Sequence, residues 1–542
     1  MLIFSLFFYT FLLFHCVVSI QEVSFRDPNI QYVGRWHSSS TEIKSGWPGA
    51  YFKVILEKTR SIKLKLTRPT SLAVQINKSS FIYFNNISNI IDITPNQLQN
   101  DGPHELFVVA TNIPDYDFFS IQLQSILLDD TAITVTPPPS SITKPLVEFV
   151  GHDLTLGIRT THNLLTSFAW ITSEFVDLEH SHIAYPNATL IDGLDKKYFK
   201  ESSSPWSVVV LLGSNDYRTH YSSSEYYNTL ISFLINVRQK LDEDAPIFIL
   251  SEPLGDMFRP SQEAVYRRSD QHIYFIDTTS WLRYGSTYYK DNNHLTDAGH
   301  ELLAKKLAPL LKIKLTNPRD PLPGPPPNPN LPGDWQTIDV GREDCIGLPG
   351  TVSADSGSTF TLWGSGADID NDNDAFRFVY QPFSSQGMIE GTVRSHSAFA
   401  KCAKAGIMIR EHLGHGSPLI MLGISPADGI FLQVRYGNFE LTQLIKKMRA
   451  SPPYRLRLIR QKQNRDMFEA QIRHVGSEGG SDDGEWESLV QVPLVLAQDV
   501  YAGLAVTSCD TSVVSVAKFT EVGLYHSVSI KDTTVRLINQ QQ

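Results

Sequence analysis

Cysteine is scarce in this chain, with four among 542 residues, and Cys345, Cys402 and Cys509 all lie in the final third. That excludes a fold held by a cysteine framework, and no spacing among them suits a zinc site. One disulfide is expected in an oxidising compartment, with the pair and the leftover thiol left open by spacing. A basic surplus is also missing. At a net charge of −10 nothing supplies the face needed to neutralise phosphates, which argues against nucleic acid as a partner. No block of like charges marks an interaction tail. Beyond the N-terminus no stretch is long and apolar enough to span a bilayer. What is present is the composition of an ordinary globular protein, 42% hydrophobic and 19% charged, too long for one hydrophobic core and therefore divided into domains.

The N-terminal run M-L-I-F-S-L-F-F-Y-T-F-L-L-F-H-C-V-V-S ends in smaller residues near Ser19 and reads as a secretory signal peptide over residues 1–20. An uncleaved membrane anchor is the competing reading, because the run approaches spanning length and has no Lys or Arg ahead of it. His15 and Cys16 interrupt it, which favours cleavage. Sequons at Asn77, Asn86 and Asn187 fit an exported chain. The expectation is a secreted protein with no membrane contact after cleavage.

Residues 21–140 carry short alternating runs, among them Y-F-K-V-I-L-E from Tyr51 and E-L-F-V-V-A from Glu105, a period of two that argues a β-sandwich. Over 141–316 the pattern changes. L-V-E-F-V, V-V-V-L-L, I-F-I-L and I-Y-F-I-D start at Leu146, Val208, Ile247 and Ile273, continuous apolar runs of the kind that parallel strands show when both faces are covered. Helical spacing fills the gaps at 164–176, 226–241 and 297–311, so this part is a doubly wound parallel α/β domain. A proline-dense spacer at 317–333 separates a third module. Short strands recur over 334–528, an all-β sandwich of single-domain length, before a tail at 529–542. The fold class is thus multidomain α/β plus all-β.

Three blocks carry the chemistry: V-E-F-V-G-H-D-L-T-L-G from Val147, L-L-G-S-N-D from Leu211, and D-N-N-H from Asp291. The first two follow buried strands directly, and in a doubly wound sheet the ligand crevice lies beyond the carboxyl ends of the strands. Acyl transfer needs a nucleophile, a base, a group that orients the base, and donors for the oxyanion. His294 suits the base and Asp291 its orienting group. Asn215 offers a side-chain amide to the oxyanion, and Gly213 lets the backbone approach closely. No cofactor or metal motif accompanies them.

Together the blocks resemble the active-site blocks of the SGNH (GDSL-type) hydrolases. The stretch Asn29 to Lys314 is similar to carbohydrate esterase family 2, in which a small jelly-roll sandwich precedes the hydrolase domain. I-Q-Y-V-G-R-W, G-W-P-G-A-Y-F-K-V-I-L from Gly46 and D-N-N-H-L-T-D-A-G-H-E-L-L-A-K-K-L carry that likeness. The resemblance implies hydrolysis of acetyl esters on a polysaccharide partner. It places the nucleophile at Asp153, where the family has Ser, and the oxyanion-donating glycine of the second block at Asn187. A carboxylate has no proton for His294 to remove, and beside His294 it favours the imidazolium. Three readings follow: a pseudoenzyme that binds glycan, a hydrolase using the Asp153 carboxylate, a water positioned by His294 or a displaced hydroxyl such as Thr155, and an adhesive protein acting through its sandwiches. G-S-G-A-D-I, A-K-A-G-I-M-I-R-E and G-L-A-V-T-S resemble a concanavalin-like module, which implies sugar or surface binding.

Other residues bear on these readings. Trp281, with Tyr284, Tyr288 and Tyr289, precedes the D-N-N-H loop and is a candidate sugar-stacking residue, against a core role. Trp36 and Trp47 read as core. His152 either touches the crevice or caps a helix, Ser214 reads as a turn residue, and His300 as a partly buried helix residue. D-I-D-N-D-N-D from Asp368 lacks the Gly and Glu of an EF-hand loop and reads as a solvated acidic turn, with a calcium site as the alternative.

Overall fold

A computed structural model describes residues 20–526 apart from 96–97, 99–100, 114–119, 138–144, 201–204, 269, 317–327, 329, 356–357, 385, 399, 463–465 and 477–483. The signal-peptide run through residue 19, Pro138 and Pro139, most of the 317–333 spacer and the tail at 529–542 therefore lie outside the described residues. Among those described, no helix is long and apolar enough to cross a membrane. The chain divides into two compact units, residues 1–143 and 144–542.

The first unit is a ten-stranded antiparallel sheet. Alternation explains it: along Tyr51–Glu57 and the start of Ile62–Ile76, Val54, Leu56, Ile62, Leu64 and Leu66 enter one core while the residues between them face outward. Trp36 packs against that core and donates its indole N–H to the Val33 carbonyl at 2.9 Å, and Trp47 is buried. Both are core residues.

The second unit begins with a five-stranded parallel sheet. Its strands are β1 (Leu146–Gly151), β2 (Glu179–Ala184), β3 (Ser207–Leu211), β4 (Ile247–Leu250) and β5 (Ile273–Ile276), in the spatial order 2-1-3-4-5. Four match the apolar runs read from the sequence. The missed one is β2, E-H-S-H-I-A, whose buried His180, Ser181 and His182 break the apolar pattern. Helices α1 (Phe168–Val176), α2 (Ser223–Arg238) and α4 (Asp297–Thr316) occupy the expected gaps, and α3 (Phe258–Tyr266) is additional. Phe149 and Val147 of β1 share a core with Phe168 of α1 and with Leu303 and Leu307 of α4. The strand order changes direction between β1 and β3, which opens the crevice at their carboxyl ends.

Residues Gln336–His526 form two seven-stranded antiparallel sheets packed face to face through residues such as Ile407, Leu504, Leu362 and Leu456. Cys402 and Cys509 form a disulfide, leaving Cys345 as the free thiol among the described residues. The proline spacer does not hold this sandwich apart from the α/β domain. Phe258 of α3 joins the sandwich core, Tyr501 donates to Asp277 at 2.6 Å, and Gln262 exchanges two hydrogen bonds with Asp499. Gly255 is needed here, since a Cβ on it would meet the His412 ring at 2.4 Å. Separation was inferred from composition, which is blind to an interface made of scattered polar side chains.

Candidate active site

Where β1 ends at Gly151 the chain turns and buries His152 and Asp153. Asp153 Oδ2 accepts the Asn187 backbone N–H at 2.9 Å and lies 3.4 Å from the Asn215 amide nitrogen. Its Oδ1 faces His294 Nε2 at 3.9 Å. His294 Nδ1 lies 2.8 and 3.0 Å from the two Asp291 oxygens. Asp291 is fixed in turn by the N–H groups of Asn293 and His294 and by Arg159. The structure thus brings Asp153, Asn187, Asn215, Asp291 and His294 together.

Each is held by its own loop. Asn187 follows β2 with φ of 56°, a left-handed conformation that Asn tolerates better than most residues. Two N–H groups just beyond it, of Leu190 and Ile191, donate to Asp216 at 3.0 and 3.1 Å, so the block after β3 braces the loop after β2. Arg218 donates to Asn215 Oδ1 at 3.1 Å, which turns the amide nitrogen toward Asp153 and the Ala188 carbonyl. Gly213 has φ of 137°, and a Cβ there would meet that of Met257 at 3.0 Å. Its positive φ makes the tight turn from β3 into the Asn215 segment.

Burial opposes the charge on Asp153, but the neighbouring His152 and His294 rings and the Asn187 N–H outweigh it and hold the carboxyl far below its usual range. His294 is pushed up, chiefly by Asp153, with partial burial opposing and Asp291 adding. Beneath them lies a residue that sequence reasoning missed. Glu252, just past β4, accepts from His152 Nε2 at 2.8 Å and from the Ser214 N–H at 3.1 Å. Burial would depress the His152 pKa, yet Glu252 and Asp153 hold it up to about 10. His152 therefore sits between two carboxylates, Glu252 at 2.8 Å and Asp153 at 3.7 Å. The available signal was position: S-E-P follows I-F-I-L directly, at the same sheet edge as the other blocks.

Other candidates fall away from the chemistry. Thr155 is wholly buried and its hydroxyl has no partner among the described residues. Ser214 Oγ lies 3.2 Å from His152 Nε2, but that nitrogen already donates to Glu252 and cannot take a proton. His300 is fully buried rather than partly so. It accepts the Phe168 N–H at 3.1 Å, and burial depresses its pKa to about 3. Trp281 packs at the edge of the α/β core and lines a cleft shared with Leu413 and His415 of the sandwich, not the Asp153 seat. In the acidic run Asp368 pairs with Lys404, and Asp374 with Arg435 and Arg410. Asp368 also nears Cys402 and Cys509, but their thiols are spent in the disulfide.

No family model matches the chain, and no curated protein does. Among solved structures it is similar to a family two carbohydrate esterase from Cellvibrio japonicus, at 17% identity over 54% of this chain and 97% of that one, TM-score 0.46. It is also similar to a family two carbohydrate esterase from Clostridium thermocellum in complex with cellohexaose, at 20% identity over 53% and 98%, TM-score 0.43. A third is an acetyl xylan esterase from the rumen bacterium Butyrivibrio proteoclasticus, at 13% identity over 55% and 98%, TM-score 0.45.

Proposed function

We propose that this is a carbohydrate-directed, esterase-like protein whose α/β domain binds glycan without hydrolysing an ester. One observation carries the reading: a carboxylate oxygen of Asp153 rests on the donors that an SGNH-type hydrolase would aim at its oxyanion. Such donors accelerate acyl transfer because they are preorganised toward charge that develops only in the transition state. Here the charge is permanent. An incoming ester carbonyl would have to displace a buried anion from the Asn187 N–H and the Asn215 amide. His294, with its pKa raised between Asp153 and Asp291, is disposed to donate rather than to accept a proton. Asp153 Oδ1 and the His294 ring together present an acceptor and a donor, which suits a sugar hydroxyl.

In the same reading the chain is exported and processed near residue 20, as the apolar N-terminus, the sequons and the Cys402–Cys509 bond suggest. The C-terminal sandwich is taken as concanavalin-like, on the motifs quoted above. The test is turnover of small acetyl esters and acetylated xylan by the wild type, Asp153→Ser and His294→Ala. Wild type is expected to be silent. Asp153→Ser is expected to gain turnover of about 100-fold or more over background, the order that a positioned general base such as His294 supplies. Wild-type turnover abolished by His294→Ala would sink the proposal.

A further inference from the structure

The packing of the sandwich on the α/β domain leaves two adjoining cavities beside the D-N-N-H loop. One, of about 310 Å³, is lined by Tyr217, Arg218, Tyr284 and Asn292 from the α/β domain and by Arg342 and Phe439 from the sandwich, among others. The second, of about 360 Å³, shares Tyr284 and Arg342 and reaches Asp291 and Tyr289. Both fall in the range of ligand pockets, about 300–1,000 Å³. Their lining residues Asp291 and Arg218 also bond to residues of the site already described. Asp291 orients His294, and Arg218 bonds both the Asn215 amide and the Asn292 carbonyl, at 3.1 and 3.3 Å.

A second observation points to a ligand. Tyr289 is buried, and its hydroxyl has no hydrogen-bond partner among the described residues. It borders the second cavity and also a smaller chamber lined by Ser214, Glu252 and Asn293. A buried hydroxyl left unpaired is costly, and a ligand hydroxyl or bound water would satisfy it.

The geometry points to an extended glycan subsite built jointly by the α/β domain and the sandwich, in which a neutral oligosaccharide runs from the Asp153 crevice across the junction between them. This rests on the glycan reading above and adds that the sandwich is a wall of the same groove rather than a separate sugar-binding module. The lining chemistry selects the occupant. Tyr217 is 39% exposed, an aromatic face open to the C–H face of a sugar ring, while Tyr284 is packed against Tyr289, His415 and the Arg342 guanidinium and fixes the shape of the wall. Arg342 is already paired with Asp344 at 3.1 Å, and Asp372 and Glu343 also border the cavities. Charges of both signs, largely partnered, do not make an ion site, and they offer donors and acceptors to hydroxyls.

Calorimetric titration of the full chain with di- and hexasaccharides of β-1,4-linked glucose and xylose tests this. In wild type one hexasaccharide should bind at least 10-fold tighter than its disaccharide. Arg342→Ala and, independently, Phe439→Ala should each cut hexasaccharide affinity about 5- to 20-fold and shrink that length advantage. Phe439→Ala serves if Arg342→Ala fails to fold. Equal affinities for the two lengths, hexasaccharide binding unchanged in both variants, or no binding of any hexasaccharide would overturn the groove. The ester assay is separate: wild-type turnover would remove the non-hydrolytic reading while the length dependence still decided the groove.

Discussion

A carboxylate at position 153 changes what its neighbours can do. The Asn187 N–H and the Asn215 amide become satisfied donors, His294 gains a second anionic neighbour, and His152 acquires a partner opposite Glu252. The buried His152–Glu252 pair also bears load, because each charge is expensive without the other. Glu252→Gln is therefore expected to destabilise the protein by about 3–5 kcal/mol, the usual cost of leaving one buried charge uncompensated, read as a lower urea midpoint at neutral pH. A loss below about 1 kcal/mol would mean that His152 simply turns neutral when its partner is removed.

The site's elements are strand ends and the turns that follow them. Asn187 shows how backbone and chemistry are linked, since it contributes a main-chain N–H while its side chain stays exposed. With φ at 56°, Asn187→Ala should cost about 1–2 kcal/mol from left-handed strain. Asn187→Gly should be near neutral, as glycine adopts that conformation freely. Thermal melts of the two variants distinguish a backbone role from a side-chain one: equal losses would show that the amide side chain matters. Asp216 and Arg218 act one step further back, holding the Leu190–Ile191 N–H groups and the Asn215 amide in place.

For the molecule as a whole, buried histidines set the pH response. His152, raised to about 10, contributes stability that is complete below its ordinary value of 6.5 and lost as the pH climbs toward 10. Asp256, raised to about 7 by burial and by Glu252, acts in the same direction from its ordinary 3.8 upward. His182, lowered to about 4, and His300 and His412, lowered to about 3, are all depressed chiefly by burial and act oppositely. Their contribution is present above 6.5 and is lost as the pH falls through those values. Urea midpoints should therefore peak between about pH 6 and 8 and fall on both sides. His152→Gln should flatten the alkaline limb; an unchanged alkaline limb would remove His152 from the account.

Local spacing determined a good deal of this protein. Period-two runs marked the antiparallel strands, and continuous apolar runs marked four of five parallel ones. The blocks at Gly151, Leu211 and Asp291 announced residues that do converge, because a parallel sheet delivers its strand ends to one edge. Only the tertiary structure decided the rest. Glu252 reaches His152 across 100 positions, β2 is held by histidines no apolar count would include, and Trp281 turned out to line a junction instead of the crevice. Periodicity reports which face of an element is buried. It does not report what that face meets, and the seating of Asp153 on two donors, like the docking of the sandwich on the α/β domain, is made of such long-range contacts.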